Sequence, residues 1–310
     1  MTKHLRRLED LSVDDVEAIL ENAADLKSRR AQGDFDLPLQ GRVVSLVFEK
    51  PSLRTRASFE AAAMQLGGGS LFFSAADAGL NGRESLADVA RVLSGYSDVV
   101  VLRTFSQQLI DDFAAASSCP VINGLSDDRH PCQALTGILT MQEVLGELKG
   151  RRLVFVGDGN NVAASLALLC SMLGVSFTLA CPEGYALDDT LLADFRSRHP
   201  TADITVSHDP TAAVAEADIV YTDVWASMGQ ESEADARKRD FAPFQVNAAL
   251  MANAPSHCRF MHDLPARRGL EVTDEVIDGP NSIAFQQAEN RMHLAKGLLP
   301  WLLEDETSSN

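Results

Sequence analysis

Apolar and polar positions along this chain keep switching between a helical and a strand period. Val16, Ile19, Leu20, Ala23 and Leu26 recur at helical spacing behind Ser12-Val13-Asp14-Asp15, a capping-box-like start. Short apolar runs follow at 43–48, 70–73, 99–102 and 120–122, with helical stretches near 55–66, 84–93 and 107–115 between them. Residues 131–146 read as a longer helix closed by Lys149-Gly150. A second series of runs (153–156, 177–180, 204–206, 219–222 and 259–261) again alternates with helices, and 284–303 reads as a C-terminal helix interrupted late by Pro300. Such alternation predicts an α/β protein with two doubly wound parallel sheets covered on both faces, joined by helices.

In open parallel sheets ligands gather at the carboxyl ends of strands. The polar clusters of this chain fall there. The first run leads into Lys50-Pro51-Ser52-Leu53-Arg54-Thr55-Arg56, where two hydroxyls and two guanidiniums meet the start of a helical pattern. Unpaired N–H groups and the positive dipole end of a helix attract anions, and a guanidinium fork matches phosphate oxygens. An N-capped helix with surface arginines would use the same residues; for Arg56 an ion pair within its own domain is the simpler role. Later runs end in Arg103-Thr104, Asn123-Gly124, Gly157-Asp158-Gly159-Asn160-Asn161, Asp223-Val224-Trp225-Ala226-Ser227-Met228-Gly229 and His262-Asp263-Leu264-Pro265. His130-Pro131-Cys132-Gln133 puts an imidazole and an amide on one face of a helix start, where donors can polarise a carbonyl oxygen.

The 310-residue length suits two domains, and a net charge of −17 makes nucleic acid an unfavourable partner. Five cysteines without a C-x-x-C pair point to reduced thiols and a cytoplasmic enzyme. The first ten residues lack the apolar segment of a signal peptide, and no apolar run reaches membrane-spanning length. Gly157-Asp158-Gly159 invites a dinucleotide reading, but Val162 replaces the third glycine and Asp158 would repel a pyrophosphate. Asn160 and Asn161 read instead as neutral groups that hold a carboxylate or simply cap the helix. Neither His130 with Cys132 nor His262 with Asp263 has a metal-ligand spacing, so neither a metal nor a cofactor is expected.

Taken together, 48–60, 84–103, 123–133, 157–162, 223–231, 262–269 and 288–293 resemble the aspartate/ornithine carbamoyltransferase family, in family order over nearly the whole chain. Asp223-x-x-x-Ser227-Met228-Gly229 is similar to the ornithine branch. The resemblance implies a carbamoyl phosphate domain at 1–147 completed by the C-terminal helix 286–304, an ornithine domain at 148–285, and trimers, or multiples of them, with active sites at subunit interfaces. It implies that Ser52, Leu53 through its backbone, Arg54 and Thr55 hold the phosphate. By the same resemblance Arg103, His130 with Pro131 and Cys132, Gln133 and Arg291 hold the carbamoyl group, with Asp263 and Leu264 beside it. Asn161 would bind the ornithine α-carboxylate, Asp223 its α-ammonium, and Ser227 and Met228 would close over the amino acid. No membrane or nucleic-acid partner is implied.

Two positions depart from the family pattern. Asp263 stands where the family usually carries cysteine beside the reacting amine, and is a candidate proton acceptor. Gly79 stands where a glutamine commonly reaches a neighbouring subunit's ligand, with Asn81 the candidate substitute. Asp263 keeps open a sister carbamoyltransferase acting on another amine or an N-acylated ornithine. A non-catalytic paralogue that binds carbamoyl phosphate is the reading from a different class, against which Arg54, His130 and Gln133 argue.

Overall fold

The computed structural model describes residues 2–80, 82, 84–226 and 231–304. The chain divides into two compact units, Met1–Leu139 with Glu289–Asn310, and Thr140–Ala288.

The first unit opens with α1 (Val13–Ala31). Its capping box is formed: Ser12 Oγ accepts the Asp15 N–H at 3.1 Å, and the Asp15 carboxylate accepts the Ser12 N–H at 2.9 Å. There follow β1 (Val43–Phe48), α2 (Leu53–Gln65), β2 (Gly69–Ser74), α3 (Leu86–Tyr96), β3 (Val99–Arg103), α4 (Gln107–Ala116), β4 (Val121–Leu125) and α5 (Pro131–Leu145), whose last turns belong to the second unit. The strands form an all-parallel sheet in the order β2-β1-β3-β4. Val47, Val100, Leu102 and Val121 pack against Val89, Leu93, Ile110 and Phe113 of the covering helices. Burying each such side chain contributes about 1.5–3 kcal/mol.

The second unit runs through β5 (Arg152–Val156), α6 (Asn161–Leu173), β6 (Ser176–Ala180), α7 (Asp189–Arg198), β7 (Ile204–Ser207), α8 (Pro210–Val214), β8 (Ile219–Thr222), α9 (Ala234–Asp240), α10 (Ala248–Met251), β9 (Arg259–His262) and α11 (Asp274–Ile277). Its sheet is also all parallel, in the order β7-β6-β5-β8-β9. One core cluster joins Val154, Val156 and Val220 to Phe241, Phe244 and Phe260. The two all-parallel sheets agree with the doubly wound α/β reading.

The last helix, α12 (Ala284–Leu303), packs from Glu289 onward on the first unit. A Cβ on Gly297 would lie 2.5 Å from the Ala23 nitrogen and 2.6 Å from the Ile19 oxygen, so glycine alone permits this approach to α1. Lys27 Nζ donates to Asn290 Oδ1 at 2.7 Å across the same contact. The interruption expected at Pro300 is absent: α12 continues through it to Leu303. Pro300 stands in the last turn, the Glu304 N–H bonds its carbonyl at 2.9 Å, and burial of Trp301 and Leu302 offsets the cost of the lost N–H. Helix starts expected at residues 55 and 84 lie instead at Leu53 and Leu86, because Ser52 and Ser85 serve as N-caps.

Candidate active site

In each unit the strand order reverses at one point, and there the polar groups gather. In the first unit the chain leaves β1 for β2 and returns on the other side as β3, so the switch lies between β1 and β3. Phe48 and Arg103 are register partners at the carboxyl ends of these strands. Ser52 caps α2, its Oγ accepting the Thr55 N–H at 3.3 Å and donating to Thr55 Oγ1 at 3.1 Å. Arg103 Nη1 and Arg291 Nη2 each donate to the same Thr55 hydroxyl at 3.3 Å. Thr55, Arg103 and Arg291 are 2%, 6% and 5% exposed, so two guanidiniums share one buried hydroxyl. Placing like charges together out of water is costly, and an anion lying against them removes that cost.

Pro131 opens α5 with its fixed backbone angle, and His130, Cys132 and Gln133 are buried around that first turn. Burial, then the guanidiniums of Arg291 and Arg103, hold the His130 imidazole well below its ordinary range, so the ring stays neutral. A neutral imidazole can donate to a carbonyl oxygen without adding a third cation. Cys132 Sγ donates to the Asn123 carbonyl at 3.4 Å, and burial raises its thiol while Arg291 opposes the rise. Leu53 is exposed and Arg54 half-buried in the first turn of α2. Arg56 pairs with Glu60 at 3.0 Å and lies 3.8 Å from the Phe72 ring, the structural role expected for it. Lys50, which the sequence marked only as a strand breaker, is 4% exposed, pairs with Asp127 and lies 4.2 Å from the Phe105 ring.

In the second unit the switch lies between β5 and β8. A Cβ on Gly159, just past β5, would meet the Ala186 carbon and Leu187 nitrogen at 2.7 Å, which explains that glycine without a nucleotide. Asn160 caps α6, accepting the Val162 and Ala163 N–H groups at 3.0 Å, and its amide donates to Asp223 Oδ2 at 2.7 Å. Asn161, the first helical residue, is half-buried. Asp158 is held by Arg237 at 2.8 Å, and Arg237 also bonds the Trp225 carbonyl at 3.0 Å and Glu233 at 2.9 Å. Arg237 thereby ties the β5 loop to the segment after β8, a role no motif signalled. Ser227, Met228 and Asn81 lie outside the described residues.

Thr222 and His262 are register partners, so Asp223 and Asp263 leave adjacent strands side by side. Burial and then the neighbouring Asp263 carboxylate push Asp223 well above the usual carboxylate range. Behind them His262 Nε2 faces the fully buried Glu271 at 3.1 Å, and the Leu264 N–H donates to Nδ1 at 2.9 Å. Burial lowers His262, but Asp263 and Glu271 more than offset it, lifting it to about 9. With the ring charged, the buried Glu271 behind it supplies the compensating negative charge. Glu271, nine residues past His262 in a loop, was invisible in the sequence. Asp223, His262 and Asp263 bring three ligand-type atoms within 4.8 Å, but both ring nitrogens are engaged and leave no lone pair for an ion.

The arrangement can therefore hold an anion against two guanidiniums in the first unit and a cation against two carboxylates in the second. Residues 3–143 match the family described as "Aspartate/ornithine carbamoyltransferase, carbamoyl-P binding domain", and residues 149–302 its "Asp/Orn binding domain". The chain is 46% identical to the ornithine carbamoyltransferase of Bacillus subtilis over 99% of its own length and 96% of that protein. It is equally similar to the anabolic ornithine carbamoyltransferase of Pyrococcus furiosus, covering 94% of this chain and 93% of that one. A solved ornithine carbamoyltransferase structure from Pyrococcus furiosus superposes with a TM-score of 0.92 at 45% identity, covering 96% of each chain. The Thermus thermophilus enzyme follows at 0.88 and 37% identity, covering 98% of this chain and all of that one. Sheet order, strand-end chemistry and these likenesses agree: the chain belongs to the aspartate/ornithine carbamoyltransferase family.

Proposed function

We propose that this protein transfers the carbamoyl group of carbamoyl phosphate to the δ-amine of L-ornithine, giving L-citrulline and phosphate. The observation that carries this reading is the pair of buried guanidiniums on Thr55 beside a neutral His130. Ser52, the Leu53 N–H, Arg54 and Thr55 hold the phosphate, drawing on the helix N-terminus as well as on charge. Arg103, His130, Gln133 and Arg291 hold the carbamoyl oxygen, and Pro131 and Cys132 shape the turn that presents them. Asn161 takes the ornithine α-carboxylate and Asp223 an ammonium. Ser227 and Met228 complete the amino-acid side, and Asp263 and Leu264 flank the reacting groups. The carbamoyl phosphate domain is residues 1–147 with 286–304, and the ornithine domain residues 148–285.

The neutral δ-amine attacks the carbamoyl carbon, negative charge collects on the carbamoyl oxygen, and the C–O bond to phosphate breaks as the amine sheds its remaining extra proton. His130, Gln133 and the arginines are fixed donors for that oxygen, the kind of preorganised stabilisation worth about 10²–10³-fold per donor. Holding both substrates in register supplies roughly 7–11 kcal/mol. Stripping a proton from a lysine-like ammonium at pH 7 costs roughly 4–5 kcal/mol. This chemistry draws on the protein's own side chains and backbone N–H groups and on the two substrates. The reaction serves arginine biosynthesis in the cytoplasm, and the chain assembles as a trimer or a multiple of trimers. Among the described residues no helix is long and apolar enough to cross a membrane.

Asp263 beside Asp223 favours a second reading, a sister enzyme for another amine. A colorimetric citrulline-type assay over ornithine, acetylornithine, succinylornithine, putrescine and aspartate separates the two. Ornithine is expected to be carbamoylated fastest; a preference for any other amine would replace the leading reading with the second.

A further inference from the structure

The Asp223–Asp263 pair has a consequence for how the amino-acid side takes up its ligand. Asp223 is 8% exposed and the Asp263 side chain 11% exposed, on neighbouring strand ends. The Asn160 amide at 2.7 Å and the Val224 N–H at 2.6 Å both donate to Asp223. The groups facing the pair are His262 on β9, whose Nδ1 lies 3.4 Å from Asp263 Oδ1, and, through that ring, Glu271. The cap residue Asn160 adds no charge. The Asp158–Arg237 ion pair, 2.8 Å between its charged atoms, belongs to the adjoining loop and leaves that loop's net contribution small. The positive charge on His262 is balanced by the fully buried Glu271 at 3.1 Å behind it, so no net cation is left to balance a second negative charge on the pair, and Asp263 Oδ1 is buried without a hydrogen bond of its own.

Resting on the reading of this unit as the amino-acid side, we propose that the Asp223–Asp263 pair holds one proton between its carboxyls in the empty protein and exchanges it for the ligand's ammonium. Before binding, the pair carries one proton and one negative charge. An arriving ammonium brings one positive charge, the shared proton leaves to solvent, and two carboxylates then face one ammonium. Charge and atoms balance: one cation enters and one proton departs. The raised titration of Asp223 by burial and by Asp263 agrees with this geometry. Asp263 is thus a positioning and proton-bearing residue that makes amino-acid affinity depend on pH. Below the pH at which the pair loses its proton, affinity is expected to rise up to ~10-fold per pH unit.

The test uses L-norvaline, which keeps the ornithine backbone and lacks the side-chain amine, so a proton released from a δ-amine cannot be mistaken for that of the pair. Titration calorimetry of the full-length protein with inorganic phosphate present, at about pH 6.5 where the ligand carries its ammonium, is repeated in buffers of different ionisation enthalpy. About one proton released per norvaline bound is expected, falling toward zero in both Asp263→Asn and Asp263→Cys. Norvaline binding with no proton released by the wild type overturns the proposal, as does release unchanged in the variants; the wild-type value stands even if a variant fails to fold. If neither norvaline nor ornithine binds, the amino-acid reading itself falls, and the proposal falls with it.

Discussion

Arg103→Gln is expected to lower kcat/KM for carbamoyl phosphate by about 10²–10³-fold, the loss seen when one preorganised donor to developing charge is removed. Arg103 is buried at the end of β3 and donates to the Thr55 hydroxyl that Arg291 also contacts. Glutamine keeps a donor there but removes the charge. Arg103→Lys, which keeps the charge but not the planar fork, should recover only part of the loss. A second readout separates this role from simple destabilisation. Burial and Arg291 depress His130 most, and Arg103 adds to them. Removing Arg103 therefore lets His130 take up a proton at higher pH, and the acid limb of the pH–rate profile should move to higher pH. An unmoved limb, with rates lost evenly at all pH values, would mean that Arg103 only supports the fold.

Asp223→Asn should act on the other substrate. Replacing a carboxylate that pairs with an ammonium removes a charge-assisted hydrogen bond worth up to about 3 kcal/mol, or ~10²-fold. The loss is expected in kcat/KM for the amine, while carbamoyl phosphate binding stays within twofold or so, since Ser52, Arg54, Thr55, Arg103, His130, Gln133 and Arg291, read as holding its phosphate and carbamoyl oxygen, belong to the first unit. The same substitution should stabilise the protein at alkaline pH. A carboxyl whose folded pKa is raised contributes stability that is full below its unfolded value and is lost as pH rises through the folded value. Burial and Asp263 raise Asp223, so the wild type forfeits that contribution toward alkaline pH, whereas asparagine does not titrate. Thermal unfolding from acid to alkaline pH should show the variant gaining on the wild type as pH rises. A variant that loses ground at high pH would show that Asp223 is not held above its usual range.

Much of this arrangement was legible in the chain because strand-end chemistry is local. Ser52, Thr55, Arg103, His130 and Gln133 each sit within a few residues of a strand end or helix start, so their positions follow from the alternation of apolar runs alone. Arg291 reached the cluster only through the family resemblance, since it lies 236 residues from Thr55 and arrives when α12 packs against α1. Glu271 and Arg237 were missed for a physical reason. Their partners, His262 and Asp158, are set by where loops cross a sheet end, and no periodicity records that. Asn160 and Asn161 were ambiguous side by side; only the helix boundary shows that Asn160 is spent on the cap. Pro300 misled because the rule against interior proline weakens in a last turn anchored by buried neighbours.

One chain is expected to join a carbamoyl group held by arginines to the δ-amine of an amino acid whose α-ammonium is held by aspartate. The most direct test follows citrulline and phosphate together while the wild-type protein turns over carbamoyl phosphate and L-ornithine. One phosphate for each citrulline, with neither formed above background when ornithine is withheld, is the predicted result. Phosphate released without citrulline, or no turnover by a folded protein that binds both substrates, would contradict it.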